Sequence, residues 1–256
     1  MPSGRTSATV LGQPAAYLEG GQGRPVVLVH GAGGRAEVWT PQIGGLADVA
    51  RLIAVDLPGH GGTGARGCQR VDDYAAWVLG LLDALGLDRT VLVGHSMGGA
   101  IVQTLALGHP GRVAGLVLVG TGGRLRVLPR ILELFRDGSP QGAKLVAGLA
   151  YSPKTPPAAV VEADRALQET AAAVTLGDFL ACDRFDVMAR LSGVAAPTLV
   201  VVGADDRLTP PKYAAHLVRT IAGARLVEIE AAGHFPQLEQ PAAVNLALRA
   251  FLTALP

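Results

Sequence analysis

Short runs of apolar, mostly β-branched residues recur along the chain: Pro25–His30 (PVVLVH), Arg51–Asp56 (RLIAVD), Thr90–Val93, Val113–Val119, Thr198–Val202 and Arg225–Ile229. Pro25–His30 has no polar face and cannot lie against water, which suits a strand buried on both sides of a parallel sheet, and the other runs read as further strands. Stretches with helical spacing lie between them: Trp39–Val49, Asp72–Leu85, Met97–His109, a piece near Val187–Leu191, Pro211–Ile221 and Pro241–Leu255. In the second, Trp77, Leu81, Leu82 and Leu85 share one side and Asp72 is the expected N-cap. A hairpin, Ala8–Val10 with Ala15–Leu18 across Gly12 and Pro14, precedes the first run. The alternation predicts an α/β fold with a mostly parallel eight-stranded sheet and helices on both faces.

The rhythm breaks between Thr121 and Asp186. Pro129, Pro140, Pro153, Pro156 and Pro157 punctuate helical pieces such as Ile131–Phe135 and Val160–Leu176, and no strand is evident. This reads as a helical insertion in one domain, with residues 1–120 and 187–256 as the core and 121–186 inserted.

Composition narrows the function classes. A formal charge of +1 offers no electrostatic case for nucleic acid or an anionic membrane surface. Cys68 and Cys182 provide neither a disulfide framework nor metal-ligand spacing. Positions 1–25 lack the apolar core of a signal peptide and no stretch reaches the length of a membrane span, so a cytoplasmic protein is expected.

The chemistry centres on Val91–Ala100 (VLVGHSMGGA), where an apolar run turns sharply through Ser96 into a helix. Such a turn holds a nucleophile clear of the sheet, and Gly94 and Gly98 flank it where a Cβ would collide with the neighbouring strand or helix. Ser96 needs a base, and six histidines are present. His109 and His216 lie on helices, His95 leaves the turn in another direction, and His30 and His60 suit backbone support. His234, after a strand and beside Gly233 with a rigid Phe235-Pro236 behind it, remains. A carboxylate must hold its tautomer; Asp205 and Asp206 both follow a strand, and spacing favours Asp206. The oxyanion formed by attack on a carbonyl needs two N–H donors, assigned to Met97 at a helix start and to Ala32 in the loop Gly31–Gly34, with Gly33 in reserve. A phosphate-cradling role for that loop is the poorer reading, because no Gly-Lys-Ser/Thr follows. No cofactor or metal is called for.

Taken together, HGAGG, DLPGHGGTG, GHSMGG, GADDRLTP and AAGHFPQLEQP make the chain resemble α/β-hydrolase-fold proteins over nearly its whole length. The resemblance implies the triad Ser96–His234–Asp206 and turns the insertion 121–186 into a lid. A serine at position 96 separates the chain from haloalkane dehalogenases and epoxide hydrolases, and His95 departs from the GNSMGG of meta-cleavage carbon–carbon hydrolases. The pattern is most similar to carboxylesterases and monoacylglycerol-lipase-like enzymes. The expected activity is cleavage of a small-molecule ester of short-to-medium acyl chain. A carbon–carbon hydrolase, lactonase or perhydrolase with the same triad is the alternative, and a ligand receptor on this fold is the rival from another class. Expected pocket residues are Gly33, Trp39, Phe135, Leu208 and Phe235, with Met97, Phe179 and Met188 as further candidates. Arg124, Arg126 and Arg130 form a cluster at the lid entry, read chiefly as a solvated face.

Overall fold

In the strand Val113–Val119, Leu116 and Leu118 join the buried cluster on one face of the sheet, while Val117 and Val119 join the cluster on the other. That two-sided burial is why the run carries no polar residue. The computed structural model describes residues 5–158, 160 and 168–256. Its strands are β1 (Thr6–Val10), β2 (Gln13–Gly20), β3 (Pro25–Val29), β4 (Arg51–Val55), β5 (Thr90–His95), β6 (Val113–Val119), β7 (Thr198–Gly203) and β8 (Arg225–Ile229). They form an eight-stranded sheet in the order β1-β2-β4-β3-β5-β6-β7-β8. β1 with β2 and β2 with β4 are antiparallel, and the remaining pairs are parallel.

The helices are α1 (Thr40–Leu46), α2 (Val71–Ala84), α3 (Met97–Gly108), α4 (Pro129–Arg136), α5 (Gln141–Ala150), α6 (Ala172–Arg184), α7 (Pro211–Thr220), a short α8 (Pro236–Glu239) and α9 (Pro241–Ala254). α2 and α3 cover one face of the sheet, and α1 and α9 cover the other. Several expected boundaries shift. Trp39 ends a 3₁₀ turn rather than starting a helix, and the segment after Val187 is a 3₁₀ turn, Met188–Gly193. α2 begins one residue early, with Arg70 at its N-cap. Asp72 therefore sits inside the first turn, where its charge complements the helix dipole. The expected helix Val160–Leu176 falls partly on residues 159 and 161–167, outside the described residues; α6 starts at Ala172 and runs on to Arg184.

Chain order on the sheet decides where a site can form. From β3 the chain passes to β4 on one side and then returns to β5 on the other, so the loops leaving β3 and β5 part at a switch point. Val29 pairs with Gly94, which brings the Gly31–Gly34 turn level with Ser96. Between β6 and β7, α4, α5 and α6 stand over the carboxyl ends of the strands. The neck of this segment is tied by an antiparallel bridge between Arg124 and Asp186 and by the Val187 N–H bond to the Gly123 carbonyl at 2.8 Å.

Candidate active site

Ser96 has φ 53° and ψ −116°, a left-handed conformation rare for a residue with a Cβ. The strain is held by tight packing. A Cβ at Gly94 would lie 2.2 Å from the Gly98 carbonyl oxygen, and one at Gly98 would lie 2.3 Å from that of Val29. The Ser96 N–H is bonded to the Val119 carbonyl at 2.9 Å, and its own carbonyl accepts the Thr121 hydroxyl at 2.9 Å. The side chain stays partly exposed and faces a cavity of about 320 Å³ that His234 also lines.

His234 is anchored on every side. Its Nδ1–H donates to Asp206 Oδ2 at 2.9 Å, leaving Nε2 as the ring nitrogen without that bond. Asp206 Oδ1 accepts the N–H groups of Leu208 and Thr209, at 2.9 and 2.8 Å, and Oδ2 accepts the Thr209 hydroxyl at 2.8 Å. Burial alone would raise the Asp206 pKa. The neighbouring His234 and the Thr209 donors outweigh it and hold the carboxyl below the usual carboxylate value. Asp205, one residue earlier, points elsewhere and accepts the Ser152 hydroxyl at 2.6 Å. Glu239 Oε1 takes the N–H groups on either side of His234, from Gly233 at 2.9 Å and Phe235 at 3.1 Å. His95 Nε2–H donates to the His234 carbonyl at 2.8 Å; burial, with His234 alongside, pushes the His95 pKa down to about 3, so it is a neutral support.

Among the described residues, the N–H groups of Ala32 and Met97 have no hydrogen-bond acceptor. Met97 is the first residue of α3, where an N–H has no partner within the helix. Gly33 is not a reserve donor. Its N–H is taken by Asp178 Oδ2 at 2.8 Å and its carbonyl by the Thr170 hydroxyl at 3.0 Å. No group of three or more His, Cys, Asp or Glu among the described residues is arranged to hold a metal ion.

The expected pocket needs correction. Leu208, Phe235 and Phe179 line the cavity. Trp39 does not: it is fully buried in the core between the sheet and α1. Phe135 stacks behind the cavity wall on Phe179, with ring centroids 5.2 Å apart, and its ring backs the lining rather than forming it. The Met97 side chain is buried in the core, and Met188 lies under Gly123, away from the lining. The three arginines separate: Arg124 faces Asp186 and Arg130 faces Glu133, whereas Arg126 reaches the cavity. Arg207 and Lys212 join it there, and no acidic side chain is among the lining residues described.

Sequence reading missed Thr209, Glu239 and Asp178. The first two stand inside the quoted motifs, GADDRLTP and AAGHFPQLEQP, three and five residues from the groups they support. Asp178 carries no motif signal. It lies on α6, and only the tertiary fold brings it to Gly33.

A model described as "Alpha/beta hydrolase family" matches residues 26–247. The chain is 35% identical, over 98% of its length, to part of the polyketide synthase ThaQ of Burkholderia thailandensis, of which it spans only 13%. It is 32% identical to the dihydrolipoyllysine-residue acetyltransferase component of the acetoin cleaving system of Pseudomonas putida, over 81% of this chain and 57% of that protein. It is also 32% identical to the 2-hydroxy-6-oxononadienedioate/2-hydroxy-6-oxononatrienedioate hydrolase of Burkholderia vietnamiensis, over 79% of this chain and 76% of that one. Among solved structures, a thermophilic esterase superposes with a TM-score of 0.88 at 34% identity, covering 99% of this chain and 98% of its own. The enol-lactonase of Burkholderia xenovorans LB400 superposes with a TM-score of 0.90 at 26% identity, covering 97% of this chain and 100% of its own. The chain belongs to the alpha/beta hydrolase family.

Proposed function

We propose that this hydrolase cleaves carboxylic esters of short-to-medium acyl chain through a covalent acyl-enzyme on Ser96. The observation that carries the reading is that Ser96 and His234 line one cavity while His234 Nδ1 is tied to a buried carboxylate at 2.9 Å. Ser96 Oγ attacks the ester carbonyl carbon as His234 Nε2 takes its proton. The oxyanion is met by the N–H groups of Ala32 and Met97; the Ser96 N–H, already bonded to Val119, takes no part. The tetrahedral species collapses, the ester C–O bond breaks, and the alcohol leaves with the proton from His234. Water, deprotonated by the same imidazole, then attacks the acyl carbon, and the C–Oγ bond breaks as the His234 imidazolium returns the proton to Ser96 Oγ, releasing the acid. In this reading the segment 121–186 serves as a lid, with Phe179 and Cys182 of α6 and Ile131 of α4 lining the cavity together with Ser96.

A lactone or carbon–carbon substrate is the second reading, supported by the likeness to the enol-lactonase and to the oxononadienedioate hydrolase. A panel of linear esters, lactones and vinylogous diketones, assayed with wild type and Ser96→Ala, separates the two. Preference for linear esters, abolished by Ser96→Ala, is expected. Higher kcat/KM for the lactones or diketones would replace the ester reading.

A further inference from the structure

Three consecutive peptide units carry or flank the Ala32 N–H, and each is held by different parts of the chain. The carbonyl of the Gly31–Ala32 unit accepts His30 Nδ1–H at 2.8 Å and the Gly34 N–H at 3.1 Å. The His30 tautomer is set by its other nitrogen, which accepts the Leu57 N–H at 3.1 Å. In a planar trans peptide the N–H opposes the carbonyl, so these core contacts aim the Ala32 N–H the other way.

The next two units are held from the inserted segment. Asp178 takes the Gly33 N–H, and Thr170 donates to the Gly33 carbonyl; they stand 145 and 137 residues away in sequence. Gly33 has φ 63°, the sign that a type II turn requires at its third residue. The competing type I turn rotates the middle peptide by about half a turn, and that is the peptide Asp178 holds.

Asp178 is fully buried and both of its oxygens are used. Oδ2 also accepts His60 Nε2–H at 2.8 Å, and Oδ1 accepts the Tyr74 hydroxyl. His60 Nδ1 lies 3.0 Å from the Pro58 carbonyl, so both of its ring nitrogens face acceptors and both carry protons. Burial opposes that charge, and the bond and charge of Asp178 outweigh it. A helix that needed only anchoring is as well served by apolar contacts, because a buried ion pair contributes little net stability. A buried carboxylate bonded to the donor loop has a geometric use instead.

From this we infer that Asp178 and Thr170 are positioning residues through which the inserted segment fixes the Gly31–Gly34 turn and so completes the oxyanion hole at Ala32. The inference rests on the serine-hydrolase reading above. Its test uses the purified full chain, a p-nitrophenyl butyrate assay, a phenylboronic acid as the probe of the tetrahedral state, and the variants Asp178→Asn and Thr170→Val. For Asp178→Asn, kcat is expected to fall by about 10- to 100-fold and boronate affinity by a similar factor, with KM within about threefold of wild type. Thr170→Val, which is nearly isosteric, is expected to show the same pattern at about 3- to 10-fold. Wild-type boronate affinity in both variants, or loss that appears only in KM or in the folded fraction, would overturn the inference. Should Asp178→Asn not fold, Thr170→Val alone decides it on the same two readouts. A wild type that no phosphonate labels at Ser96 removes the hydrolase reading itself, and this inference with it. Labelled wild type with unaffected variants removes only the inference.

Discussion

Asp206 Oδ2 lies 2.9 Å from His234 Nδ1, whereas the carboxylate of Asp205, its neighbour in the chain, turns away to the Ser152 hydroxyl. Asp206→Asn leaves the turn its backbone contacts but offers His234 the wrong partner, so kcat should fall by about 10⁴-fold with the fold intact. Asp205→Asn should cost less than about tenfold. Steady-state kinetics with circular dichroism as the folding control checks the ranking, and the reverse order would move the orienting role to Asp205.

The His60–Asp178 pair makes part of the stability depend on pH. The His60 pKa is raised above its ordinary 6.5, against burial and through Asp178. Its contribution is therefore fully present below that unfolded value and is lost as pH rises through the folded one. The Tm difference between wild type and His60→Gln should be largest below the ordinary value of 6.5 and narrow as pH rises above it. Neutral His95, whose pKa burial pushes down, works in the opposite sense and cancels in the difference; His30, lowered by burial and by the adjacent His60, loses only the His60 part in the variant. A gap that widens with pH would contradict the assignment.

If the cavity of about 320 Å³ takes the acyl group of an ester, its size should set the preferred chain length. Each buried methylene should help by about 0.8 kcal/mol until the space is filled. Over linear p-nitrophenyl esters, kcat/KM is expected to peak at roughly four to eight carbons and then decline. A steady rise through palmitoyl would show that the cavity does not bound the chain.

Arg126, Arg207 and Lys212 ring a cavity with no acidic side chain among its described lining residues. All three are exposed, so their attraction for an anion is modest and screened by salt. An ester carrying a carboxylate on its acyl chain should exceed a neutral ester of equal length in kcat/KM by about 3- to 10-fold at low salt. The advantage should shrink in about 1 M salt and in Arg126→Gln. Equal rates at low salt would leave the rim without a role in selection.

The sheet was legible because burial on both faces forbids polar residues in strands such as Val113–Val119, and each expected strand stands within a few residues of its place. The serine, histidine and aspartate were legible because glycine-flanked turns and strand-end loops leave a local signature. Trp39 was misread because an aromatic beside a site loop is next to it in sequence, while packing turns its ring into the core. Phe135, expected to come down from the inserted segment, packs on Phe179 instead. Asp178 was illegible on the same ground: its partners Gly33, His60 and Tyr74 meet it only across the fold.

Incubation of the purified protein with a fluorophosphonate, followed by mass spectrometry of the digest, tests whether Ser96 is the nucleophile. One adduct per chain is expected, on Ser96 and absent from Ser96→Ala, whose turnover falls by about 10³-fold or more. An adduct on another serine, or full turnover in Ser96→Ala, would contradict that role.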